Sequence, residues 1–168
     1  EAAEVFRRVL SVYPDDIIAH SSLAAIYRQT GNDDDAIWHL ERAYEQDTAN
    51  AGYQQSLREL YRQHRGIDQP RLQLTTGAVA RQYLAGGRQD EAIKTLHEAL
   101  AAAPQRTDLR LLLARALWDS GQSVESAEAA LDTLETLPDC LEANHIMARF
   151  WLDEKRPSDA QRYVGRIE

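Results

Sequence analysis

The sequence predicts an all-α protein built as a solenoid of about ten antiparallel helices. Apolar residues recur at helical spacing along most of the 168 residues. Large residues repeat every 34 positions at Tyr83, Leu117 and Trp151. Small residues follow the same interval three positions earlier, at Ala80, Ala114 and Ala148. A fixed period of this length indicates stacked helical hairpins, each of which buries its apolar stripe against the next.

Composition excludes several classes of partner and location. The net charge is −8, which disfavours nucleic acid or an anionic membrane as the main partner. No apolar run approaches the roughly 18 residues that a membrane span requires. The single cysteine, Cys140, fits a reducing compartment, so we expect a cytoplasmic protein.

Start and stop signals define the helices within residues 1–50. Ala2, Phe6, Val9 and Pro14 follow the pattern of a second helix whose first helix is absent. A full repeat follows over residues 17–50, with a turn at Gly31-Asn32 and helix-start carboxylates after it.

The period then breaks. A lone first helix is predicted over Ala51–His64, with Tyr61 lying 34 residues after Tyr27. The next matching aromatic, Tyr83, comes only 22 residues later, so about twelve residues are missing, roughly the length of a second helix. Residues 65–70 read as a connection because Gly66 and Pro70 break helices.

After the break the period returns. Three repeats are predicted over 73–106, 107–139 and from Cys140 onward. We therefore expect two sub-stacks, 1–64 and 71–168, whose inner surfaces do not form one uniform groove. A six-residue connection is too short to return along a helix of about 20 Å. The helix starting near Arg71 is thus expected to run antiparallel to Ala51–His64, where a second helix belongs; the alternative is a third position that splays outward.

The clearest hairpin lies between Val79 and Pro104. It has Val79-Ala80 and Tyr83 on one stripe, a turn at Gly86-Gly87, and a second helix whose pattern residues are Ala92, Leu96, Ala99 and Leu100. This arrangement resembles the tetratricopeptide repeat, and the resemblance covers nearly the whole chain. It implies a right-handed solenoid whose inner face, lined by the first helices, contacts extended peptides or partner helices.

Within that resemblance, the second sub-stack offers a ladder of arginines. Arg81, Arg115 and Arg149 each follow the small alanine of a repeat, with Trp118 and His145 one turn away from two of them. Guanidinium groups suit forked contacts with carboxylates, so the ladder predicts an acidic partner segment with an apolar anchor. The alternative is a set of internal ion pairs, in which Asp108 and Glu142 each bind the preceding arginine.

The first sub-stack has a polar row of its own. It comprises Arg28-Gln29 and Arg62-Gln63, with Ser21, Ser22 and Gln55. The row is a candidate for hydrogen bonding to a backbone or side-chain amide of a partner. The alternative is that it is only a solvated surface.

The function predicted from these patterns is a non-catalytic interaction module that binds a peptide or helix of a protein partner in its concave groove. The alternative is a regulatory or substrate-positioning arm of a larger enzyme or assembly complex. The sequence contains no catalytic set, no paired metal-ligand spacing and no phosphate loop, so we expect no cofactor and no metal. Apolar residues at both ends, such as Val5 and Val164, also raise an expectation of self-association through uncapped end helices.

Overall fold

The computed structural model describes residues 1–68 and 70–167, and this part of the chain folds into ten α-helices without a strand. Gln69, in the predicted connection, and Glu168, the end of the predicted second sub-stack, lie outside the described residues. In chain order the helices are α1 (Ala2–Val12), α2 (Ile17–Gln29), α3 (Asp33–Gln46), α4 (Ala51–Arg65), α5 (Thr76–Ala85), α6 (Gln89–Ala102), α7 (Thr107–Asp119), α8 (Ser123–Thr136), α9 (Leu141–Asp153) and α10 (Pro157–Val164).

Successive helices pack side by side as a solenoid, which confirms the predicted fold class. Four close hairpins form, α2–α3, α5–α6, α7–α8 and α9–α10, and each packs onto its neighbours along the stack. None of the described helices has the length and apolar character that crossing a bilayer requires.

The turn inside each hairpin contains one residue with a positive φ angle. Gly31, Gly87 and Gly121 have φ values of 75°, 70° and 81°, a region that glycine enters without a steric penalty. The fourth hairpin places Lys155 there, with φ of 58°. Gly87, Gly121 and Lys155 are again 34 residues apart, so the turn follows the repeat even where the glycine is lost.

The connection after α4 differs from the prediction. Helix α5 begins at Thr76, not near Arg71, because the Thr75 hydroxyl caps it by accepting a hydrogen bond of 3.1 Å from the Ala78 amide. The connection therefore has ten residues, 66–75, which reach up to about 33 Å when extended. That exceeds the length of about 22 Å expected for α4.

The connection runs back beside α4. The Arg58 guanidinium, in the middle of α4, donates to the Pro70 carbonyl at 3.2 Å. At the start of α5, the Thr75 hydroxyl donates to Glu45 at 2.8 Å, near the end of α3. Helix α5 thus begins at the same end of α3 as α4 does and packs against α3. The expected placement of α5 as an antiparallel continuation of α4 is wrong.

Buried apolar residues form two separate clusters. The smaller one lies among α2, α3 and α4, with Leu72 of the connection packed against it. The larger one extends from α5 to α10 and is centred on the leucines and alanines of α7 and α8. The division into two sub-stacks at 64/71 stays a prediction.

The outer faces of the end helices carry exposed apolar residues. None of the residues of α1 is buried, and Val5 is 58% exposed. Val164 and Ile167 are exposed at the other end. Self-association through these faces stays a prediction.

Candidate functional site

An open cleft of about 390 Å³ lies between the first helices α2 and α4. Its floor is apolar, with Ala24 of α2, Leu40 of α3 and Leu60 of α4 buried below a half-buried Tyr53. Its rim is polar and consists of Ser21, Arg28, Gln29, Asn50 and Ser56. An apolar floor with a few polar groups around it is the usual form of a binding site. We call this site the α2/α4 cleft.

The local sequence explains why a cleft forms there. Ala24, Ala25 and Gly52 fill little space, so the neighbouring helices leave a channel between them. The Asn50 side chain caps α4 by accepting hydrogen bonds from the amides of Gly52 and Tyr53, at 3.0 and 3.2 Å. This cap fixes the start of α4 at the rim of the cleft.

One face of α4 points into the cleft, and sequence reasoning missed it. Tyr53, Ser56 and Leu60 line the cleft and lie three and seven residues apart, which places them on one helical face. The spacing alone does not reveal the cleft, because Leu60 also packs in the core between α2, α3 and α4.

The predicted polar row divides between this cleft and the surface. Arg28 and Gln29 line the cleft, and Arg28 forms a 2.8 Å ion pair with Glu59 across it. Gln55 and Arg62 are exposed on α4 outside the cleft lining. The Arg28 guanidinium lowers the pKa of the Glu59 carboxyl through a hydrogen bond and its charge. Because both groups are well exposed, this pair adds little to stability.

The three arginines of the predicted ladder have different surroundings. Arg115 binds Glu142 through two hydrogen bonds and lies 3.5 Å from Asp15. The Arg115–Glu142 pair is the internal pairing that the sequence offered as an alternative. Arg149 is exposed and places its guanidinium carbon 4.9 Å from the centre of the half-buried Trp118 ring.

Arg81 is largely enclosed by the fold. Its Nε lies buried without a hydrogen-bond partner among the described residues. Burial lowers the pKa of Arg81, against the attraction of Asp108 and Asp15. The alternative pairing of Asp108 with Arg81 is not formed, because Asp108 binds Arg106 instead, at 2.7 and 2.8 Å. His145, the remaining predicted residue, is exposed on α9.

A buried ion cluster links α3, before the break in the repeat, to the start of α7, after it. Arg106, at the start of α7, donates to Asp108 and also to Glu45 near the end of α3, the latter at 2.6 Å. Burial opposes the charge on Arg106, but the hydrogen bonds that it donates to Asp108 and Glu45 outweigh this and raise the pKa of the guanidinium. Sequence reasoning did not find this cluster, because 61 residues separate Arg106 from Glu45.

The described residues offer no centre for metal or thiol chemistry. No group of three histidine, cysteine, aspartate or glutamate side chains within 1–68 and 70–167 is arranged to hold a metal ion. Cys140 is buried, and burial raises the pKa of its thiol. What the α2/α4 cleft offers instead is a set of polar groups that can donate and accept hydrogen bonds around an apolar anchor.

Comparison with known proteins is consistent with this architecture. Two family models, both described as tetratricopeptide repeat, match residues 1–51 and 83–137, which together form more than half of the chain. No curated protein matches the chain.

Several solved structures share the fold. A crystal structure of MamA has a TM-score of 0.52 at 19% identity, covering 99% of this chain and 84% of that one. Another MamA structure, AMB-1 C2221, has a TM-score of 0.52 at 17% identity, with coverage of 99% and 98%. YrrB, described as a TPR protein with an unusual peptide-binding site, has a TM-score of 0.50 at 14% identity, with coverage of 98% and 91%.

At these identities the likeness to solved structures shows the fold alone, and the family models supply the assignment. Repeats of this kind stack into extended surfaces that bind other proteins. The chain belongs to the tetratricopeptide repeat family and is a protein-interaction scaffold.

Proposed function

We propose that the chain is a non-catalytic module that binds a peptide or helix of a protein partner in the α2/α4 cleft. The observation that carries the proposal is the apolar floor of Ala24, Leu40 and Leu60 beneath a polar rim on two first helices. In this family the concave face lined by first helices is the surface expected to receive a partner.

The chemistry of the cleft indicates what the partner presents. Burying one large apolar side chain against the floor contributes about 1.5–3 kcal/mol, which supports an anchor residue. Ser21, Gln29, Asn50 and Ser56 supply hydroxyl and amide groups that match a peptide backbone. The partner segment is therefore an apolar anchor flanked by main-chain amides.

The acidic partner expected from the arginine ladder is a finer part of this proposal. Arg149 is exposed and free to meet a carboxylate beside Trp118, whereas Arg115 would first have to release Glu142. We assign the acidic preference to Arg149 and His145 and treat Arg115 as an internal contact.

An arm of a larger enzyme would use the same cleft, so the alternative function does not change the site.

A peptide-display selection on the immobilised protein tests the cleft directly. Peptides that are selected are then titrated by calorimetry against the wild type, Ala25→Arg and Ala101→Arg. Ala25 is exposed on α2 at the cleft, and Ala101 is exposed on α6, so the two substitutions are matched in chemistry and differ in place.

We expect Ala25→Arg to weaken binding by roughly tenfold or more, since a long side chain blocks access to the floor. We expect Ala101→Arg to bind as the wild type does. Equal affinities for all three proteins would contradict the proposed site.

A further inference from the structure

Helix α4 is the one first helix in the described part of the chain that lacks a hairpin partner. Helices α2, α5, α7 and α9 each pair closely with the helix that follows. After α4 the chain instead passes the middle of that helix at Pro70, which accepts from Arg58, and begins α5 against α3. The place of one second helix beside α4 is therefore filled by a connection alone.

The connection fills that place incompletely. A cavity of about 220 Å³ remains between α3, α4 and the connection, to which Ile67, Gln73 and Thr75 contribute. Tyr44 of α3, Leu57 and Tyr61 of α4 and Leu72 of the connection line it. Leu74 stays 43% exposed at the edge of this segment. We call this cavity the α3/α4 groove.

The α4 side of the groove is basic, although the chain as a whole is acidic. Residues 51–75 contain four arginines against two acidic residues, while the whole protein has a net charge of −8. Arg65 lines the groove and lies 4.0 Å from Glu41 on the α3 wall. Among the described residues, Arg58 beside it donates to main-chain oxygens, at Pro70 and Gln54. Arg62 and Arg71 are exposed nearby.

We propose that the α3/α4 groove receives an acidic amphipathic helix of a protein partner, in the place of the missing second helix. Helices dock into apolar grooves through residues three and four positions apart, which is how the second helices of this chain pack. Arginines at the rim complement carboxylates on the exposed side of such a helix. Apolar contact and charge therefore select the same occupant.

The chain's own helix α8 shows the required chemistry and supplies a probe. Residues 123–136 carry Glu125, Glu128, Asp132 and Glu135 with no basic residue. In the fold, this helix buries its alanines and Leu134 against α7. A synthetic peptide of this sequence thus has the apolar stripe and the negative charge that the groove is expected to accept.

The α3/α4 groove is distinct from the α2/α4 cleft, because it uses a different face of α4. Leu57, Tyr61 and Arg65 face the groove, whereas Tyr53 and Leu60 face the cleft. The two sites can be tested separately, and failure of one leaves the other standing.

The test is a fluorescence-anisotropy titration of the labelled 123–136 peptide with the full chain. We expect saturable binding that weakens as salt rises, since the contact involves exposed charges. The double variant Arg58→Gln/Arg65→Gln should weaken binding by roughly tenfold, as should replacing the four peptide acids by their amides. Arg110→Gln/Arg156→Gln, which removes the same charge elsewhere, should leave affinity unchanged.

Amide chemical-shift changes then locate the peptide. The proposal expects them at Leu57, Tyr61 and Leu72. It is overturned if the peptide does not bind, if Arg58→Gln/Arg65→Gln binds as tightly as the wild type, or if the shifts are confined to the α2/α4 cleft.

Discussion

At the residue scale, two histidines connect the first hairpin internally. The Nδ1 atoms of His20 and His39 are 2.9 Å apart, and His20 Nε2 lies 3.0 Å from the Pro14 carbonyl. A carbonyl can only accept, so His20 donates from Nε2, and in the neutral ring its Nδ1 accepts from His39. Burial lowers the pKa of both imidazoles, that of His39 to about 3.

This pair makes stability fall in mild acid. In the unfolded chain each histidine takes up a proton near pH 6.5, whereas folded His39 does not until about pH 3. The contribution of the pair is complete above about pH 6.5 and declines as the pH falls below it. We expect His39→Gln to lose roughly 1 kcal/mol per pH unit less than the wild type between pH 6 and 4.

Urea unfolding at pH 7, 6, 5 and 4 measures this difference. His97→Gln, an exposed histidine on α6, is the control and should keep the wild-type slope. Parallel curves for His39→Gln and the wild type would rule out the neutral pair.

Lys155 is a second residue whose environment makes a definite prediction. It has φ of 58° at the turn where the other hairpins place glycine. A side chain in this left-handed region costs about 1 kcal/mol, so Lys155→Gly should raise the free energy of unfolding by up to that amount. Gly121→Ala, at the equivalent turn, should lower it. Thermal unfolding measures both, and a destabilised Lys155→Gly would refute the assignment.

At the scale of elements, the buried Arg106 cluster holds α3 against α5 and α7. Arg106 and Glu45 are 6% and 3% exposed, and Arg106 also neutralises Asp108. Arg106→Ala would leave two buried carboxylates unpaired, which we expect to cost about 3–5 kcal/mol. Arg88→Ala removes an exposed pair with Glu91 and should cost less than about 1 kcal/mol.

Chemical denaturation of these two variants decides the matter. If both variants lose the same small amount of unfolding free energy, the cluster does not hold the helices together. Gly77 supports its tight packing, since a Cβ there would lie 2.7 Å from a Glu45 oxygen.

The elements also show where the sequence was informative. Helix bounds outside the break follow from local signals, such as the Asp16 side chain accepting the Ala19 amide at the start of α2. The start of α5 was missed because it depends on a distant contact, between Thr75 and Glu45. The repeat offered the Arg115–Glu142 pair as an alternative, because the two residues lie in successive repeats. The contact of Arg115 with Asp15 was missed, because 100 residues separate them.

At the scale of the whole molecule, the break in the repeat separates two apolar cores that polar contacts connect. We propose that α2–α4 and α5–α10 behave as two cooperative units. Native-state hydrogen exchange should then give two different opening free energies, one for each set of amides. A single value throughout the chain would contradict the division at 64/71.

The central claim is that a partner segment lies in the α2/α4 cleft. Photo-crosslinking from single positions tests it most directly, with the photoreactive amino acid placed at Ala25 in the cleft or at Ala101 on α6. In cells that produce the protein, we expect one discrete crosslinked partner from Ala25 and none from Ala101. The same partner from both positions, or crosslinks from Ala101 alone, would contradict the assignment of the cleft as the binding site.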